Sequence, residues 1–127
     1  MDKIVALTPD IAVTAALGAD DIAAVAALGY RTIINHRPDG EETGQLPAAE
    51  ARRLAHAAGL VYRHIPSTKL DLFSDGVVDP MQDALASVPR PILMHCKSGI
   101  RSAIVWAAAT SRTQPVEGVV ATLAAAG

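Results

Sequence analysis

Apolar positions recur along this chain in two alternating rhythms. From about residue 20, stretches with apolar residues three or four apart alternate with short runs rich in β-branched residues. Asp20 to Leu28 predicts a helix: acidic residues open it, Ile22, Val25 and Leu28 share one side, and Gly29 closes it. Tyr30 to Asn35 predicts a short strand, and the polar segment His36 to Leu46, with Gly40 and Gly44, a loop. Pro47 suits the first turn of a helix that runs to about Ala58 and stops at Gly59. Leu60 to Ile65 predicts a strand ended by Pro66, and a loop from Ser67 to Asp75 leads into a helix to about Ser87. Pro91 to His95 predicts a further strand running directly into a glycine-containing loop at Cys96. An apolar helix from Arg101 or Ser102 covers Ile104 to Ala109, Thr110 to Gln114 breaks it, and Pro115 opens a last helix. Ile4 to Thr14 predicts one or two strands around Pro9.

Alternation of this kind predicts an α/β fold: one domain over residues 1–127, with a mostly parallel central sheet flanked by helices on both faces. Such sheets bind ligands beyond the carboxyl ends of their strands. That edge gathers three predicted loops, His36 to Gly40, Ser67 to Asp75 and Cys96 to Arg101.

Composition narrows the function classes. Half the residues are hydrophobic but only 3% are aromatic, so Ala, Val, Leu and Ile must fill the core. A formal charge of −2 carries no basic excess and argues against nucleic acid as a partner. No apolar run approaches the roughly 20 residues that span a bilayer, so no membrane partner is expected. Met1-Asp2-Lys3 does not open a signal peptide, and a single cysteine fits a reducing, cytoplasmic setting.

The chemistry concentrates in His95-Cys96-Lys97-Ser98-Gly99-Ile100-Arg101-Ser102. Between strand and helix, the amides from Lys97 through Arg101 can form a concave nest for an anion, reinforced by the helix N-terminus. A cysteine at its mouth is expected to have a depressed pKa and to react as thiolate. Arg101 offers a planar fork for two oxygens of a tetrahedral anion, and Gly99 permits the positive φ of a tight loop. The Ser102 hydroxyl is positioned to donate to the sulfur.

Several runs carry a family resemblance: Ala24-Leu28-Gly29-Tyr30 with Thr32-Ile33-Ile34-Asn35, Arg37-Pro38-Asp39 with Glu41, Ala57-Ala58-Gly59-Leu60-Val61-Tyr62, Ile65-Pro66, and His95 through Ser102. Over roughly residues 8 to 125 the chain resembles the phosphatase-like domain of the beta-lactamase-hydrolase-like proteins, whose fold is similar to dual-specificity and tyrosine phosphatases. The resemblance implies that Cys96 takes the phosphoryl group, that Arg101 holds its oxygens, and that the loop amides at Lys97, Ser98, Gly99 and Ile100 bind substrate. It also implies an aspartate acid on the loop after Ile65-Pro66, where Lys69 stands in the expected place and Asp71 is the nearer carboxylate. Phosphatases of this fold place five residues between cysteine and arginine, whereas Cys96 and Arg101 have four between them, the spacing of rhodanese-type sulfurtransferases.

Three readings therefore stand: a cysteine phosphatase acting on phosphate monoesters, phosphotyrosine among them; a sulfurtransferase working through a Cys96 persulfide; and a non-catalytic anion-binding module. Arg37 is expected either to widen the positive field or to pair with Asp39 or Glu41 and pin its loop. His95 is expected to hydrogen-bond backbone and orient the cysteine loop, and Trp106 to lie in the core or a dimer contact. The four histidines show no metal-ligand spacing, so neither metal nor cofactor is expected. The partner is a small anionic substrate or a phosphoprotein, and the Ala-rich C-terminal helix leaves a homodimer open.

Overall fold

The structure is a computed structural model and describes residues 4–126. The reading of Met1-Asp2-Lys3 lies outside them. A short hairpin opens the chain: β1 (Val5–Thr8) and β2 (Ile11–Thr14) pair antiparallel around Pro9. Then α1 (Ala19–Ala27), β3 (Thr32–Asn35), α2 (Ala48–Ala57), β4 (Val61–His64), α3 (Asp75–Ser87), β5 (Ile92–His95), α4 (Ile100–Thr110) and α5 (Val116–Ala126) follow. The sheet order is β1-β2-β5-β3-β4, with every pairing beyond the hairpin parallel. The expected α/β architecture is observed.

Every residue of β2, β3 and β5 is buried, as it must be where helices cover both faces. The two-residue period divides their side chains between two cores. Ala12, Ile33 and Leu93 pack with Ile22 and Val25 of α1 and Ala51 and Ala55 of α2. Val13, Ile34, Ile92 and Met94 face the other way, onto Val78 and Met81 of α3, Val105 and Trp106 of α4 and Val119 of α5. Trp106 is thus core, the first of its two expected places.

The register brings the parallel strands to a common finish. Thr14 pairs with His95, His95 with Asn35, and Asn35 with His64. The chain leaves β5 at Cys96, β3 at His36 and β4 at Ile65 on the same edge. Backbone bonds tie these exits together: His36 N–H donates to the His95 carbonyl at 2.8 Å, Ile65 N–H to Asn35 at 2.9 Å, and Ser67 N–H to His36 at 3.0 Å. Several element boundaries differ from expectation by a residue or two. Pro47 sits just before α2, at its N-cap, and α4 begins at Ile100 because left-handed Gly99 (φ +94°) serves as its cap.

Candidate active site

Cys96 emerges from the central strand fully buried, and its Sγ accepts the Gly99 N–H at 3.1 Å. The loop reaches this shape by lying close on β2. Ala16 N–H donates to the Lys97 carbonyl at 3.2 Å, and a Cβ on Gly99 would stand 3.3 Å from the Thr14 carbonyl oxygen. Positive φ and close approach together require glycine there.

Arg101 occupies the first turn of α4, and two groups from other loops hold it. Its Nη1 donates to the Ser67 carbonyl at 2.8 Å and to Glu41 Oε2 at 2.7 Å, while Nη2 donates to Glu41 Oε1 at 2.7 Å. The Glu41 hydrogen bonds, with a smaller contribution from Cys96 beside it, hold the Arg101 pKa above its ordinary value. Arg101 in turn holds the Glu41 carboxyl below the usual carboxylate range, with Arg37 adding to the effect.

Arg37 pairs with the loop that bears Glu41, the second of its two expected roles. Its Nε donates to Glu41 Oε1 at 3.0 Å and its Nη2 stands 3.4 Å from Glu42. Glu42 also meets Lys97 Nζ at 2.6 Å. Two consecutive carboxylates thus strap the 38–46 loop onto the cysteine loop. Asn35 starts that loop, accepting the Arg37 N–H at 2.8 Å through Oδ1 and donating from Nδ2 to Tyr62 Oη at 2.9 Å.

His36 is fully buried between α3 and α4. Its Nδ1 lies 2.7 Å from Ser102 Oγ and its Nε2 3.2 Å from Met81 Sδ. Burial pushes the His36 pKa down to about 3, so the ring is neutral. A thioether only accepts, which assigns the ring proton to Nε2 and makes Nδ1 the acceptor of the Ser102 hydroxyl. Ser102 therefore spends its proton on His36 rather than on the sulfur, a departure from expectation. His95 is buried, and burial pushes its pKa down to about 4, with a hydrogen bond to the Cys96 backbone acting against that shift.

An open cavity of about 680 Å³ fronts Arg101, and its lining includes polar Glu41, Lys69, Lys97 and Ser98 and apolar Leu70, Leu72, Ile100 and Ile104. Asp71 is not among its lining residues. Its Oδ1 accepts the Thr68 N–H at 2.6 Å, and its carbonyl accepts both the N–H and the hydroxyl of Ser74. The carboxylate caps a turn. Among the described residues no cluster of His, Cys, Asp or Glu could hold a metal ion, and no helix is long and apolar enough to cross a membrane. Sequence reasoning paired Arg37 with Glu41 but missed Glu41 on Arg101, Glu42 on Lys97 and His36 on Ser102. The Glu41-Glu42 run beside Arg37 was the available signal.

A parallel sheet that delivers a cysteine, a tight amide loop and an arginine to a helix N-terminus has the architecture of the cysteine phosphatase fold. The chain superposes on kinase associated phosphatase with a TM-score of 0.72 at 17% identity, covering 91% of this chain and 74% of that one. A candidate phosphatase of Neisseria meningitidis is more similar, with a TM-score of 0.81 at 28% identity, covering 98% and 88%. Residues 3–113 match the model of the beta-lactamase hydrolase-like protein, phosphatase-like domain, and the chain belongs to that family. The beta-lactamase hydrolase-like protein of Xylella fastidiosa (strain Temecula1) is 34% identical over 105 residues, 83% of this chain. Those residues are 24% of the Xylella protein, so the chain spans about a quarter of that relative's length.

Proposed function

We propose that the chain is a cysteine-dependent phosphatase-like hydrolase that cleaves phosphate monoesters through Cys96. The observation that carries this reading is the Gly99 N–H on Cys96 Sγ, with Arg101 held at the same helix N-terminus. Cys96 Sγ attacks phosphorus, the ester P–O bond breaks, and the leaving oxygen takes a proton. Water then attacks the thiophosphate, breaking the P–S bond and returning the thiolate with inorganic phosphate. Loop amides and the Arg101 guanidinium hold the phosphoryl oxygens. Asp71 is the proton donor in this reading, and it must leave Thr68 to act.

One observation favours a second reading. The carboxylate lining the cavity is Glu41, which is committed to Arg101, and Asp71 is committed to a turn. Sulfur transfer needs no such acid. A Cys96 thiolate would take the outer sulfur of a thiosulfonate donor as the donor's S–S bond breaks, and then pass it on from the persulfide. Hydrolysis of p-nitrophenyl phosphate by wild type and Cys96→Ser tests the first reading, which requires turnover that the variant lacks. Absence of turnover, with thiocyanate formed from thiosulfate and cyanide in a Cys96-dependent way, would replace it with the second.

A further inference from the structure

Beside the Arg101 cavity lies a second one of about 500 Å³, between the edge hairpin, α4 and the end of α5. Val5, Leu7, Val13, Ala103 and Leu123 line it, and among the described residues no charged side chain does. Several of these residues are half-buried members of the α3–α5 core left open to solvent. The two cavities meet: Ser98, Ile100 and Ile104 line both. A continuous surface therefore runs from the charged end that holds Arg101, Lys69, Lys97 and Glu41, over exposed Ile100, into a groove whose described lining is mostly apolar.

We propose that this groove is a substrate subsite for the unbranched apolar tail of an amphiphilic phosphomonoester, a specificity that rests on the phosphatase reading. Two arguments select this occupant. The groove opens onto the anion end through shared residues, so head and tail can belong to one molecule. Among the described residues its lining also offers no cation for a second phosphate, so a polyphosphorylated sugar gains nothing from them. A methylene moved from water to an apolar site gains about 0.8 kcal/mol, or about fourfold in affinity. A half-open groove returns less than that per carbon.

Calorimetric titration with n-alkylphosphonates from ethyl to octyl tests the proposal without turnover. The expected result is affinity rising by at least about 30-fold across the series. Leu123→Trp, and separately Ala126→Trp, should cut the octyl-to-ethyl ratio to a few-fold. A ratio near one in wild type, or one unchanged in both folded variants, overturns the subsite. Turnover of p-nitrophenyl phosphate is measured in parallel. A chain-length effect without turnover would retain the apolar-tail site and sink the phosphatase reading. Turnover without a chain-length effect would do the reverse.

Discussion

Replacing Glu41 with Gln probes the contact that joins the two halves of the site. One carboxylate receives two hydrogen bonds of 2.7 Å from Arg101 and one of 3.0 Å from Arg37. Charge-assisted bonds are worth about 1.5–3 kcal/mol each when sheltered. The Glu41 side chain is 26% exposed, however, and screening reduces the sum toward the range of surface pairs. Gln also keeps one oxygen acceptor. The expected loss is about 1 kcal/mol at neutral pH, or about 4 °C in Tm for a domain of this size. Because Arg101 depresses the Glu41 pKa, the contribution is fully present above the unfolded value of about 4.3 and is lost as pH falls through the lower folded value. Urea unfolding of both proteins from pH 8 to pH 3 should show a constant gap down to about pH 5 that closes below pH 4. A gap that persists at pH 3, or none at pH 7, would refute the assignment of the stabilisation to this ion pair.

His36 and His95 are held neutral by burial, so between pH 6.5 and their folded values the unfolded chain binds protons that the native one does not. Stability should be full above pH 6.5 and fall by about 1.4 kcal/mol per pH unit per histidine below it; wild-type urea curves that are flat from pH 7 to 5 would contradict this. Gly99→Ala places a Cβ 3.3 Å from the Thr14 carbonyl at a φ of +94°, and should cost about 1–2 kcal/mol in denaturant melts as well as Cys96 reactivity toward iodoacetamide. An unchanged melt with unchanged alkylation would show that the loop does not need its left-handed turn. Asp71→Asn should leave p-nitrophenyl phosphate turnover nearly intact and slow phenyl phosphate, a poorer leaving group, by about 10²-fold or more. Equal effects on both esters would remove Asp71 from the proton transfer.

The order of elements was legible because short apolar runs such as Thr32–Asn35 and Ile92–His95 mark strands, α1 and α2 stop at Gly29 and Gly59, and Pro115 opens the last helix. Cys96 and Arg101 were legible for a similar reason: strand, loop and helix lie within one short segment. Glu41 was harder, since its local neighbours describe a solvated charge run and Arg101 is 60 residues away. His36 and Ser102 are 66 residues apart, and only the level strand ends make them neighbours. Asp71 shows the converse. Its place on the loop was readable, but not that its carboxylate would cap the Thr68 turn instead of facing the cavity.

The site joins parts of unequal permanence. The cysteine loop grows out of β5, the central strand, whose amides should exchange with solvent only when the whole sheet opens. The 38–46 segment is fastened over it by Glu41 and Glu42, whose ties to Arg101 and Lys97 face water. Salt loosens such ties without touching the core beneath them. Rising ionic strength is therefore expected to free the 38–46 segment while the strand that carries the cysteine loop stays as durable as the fold.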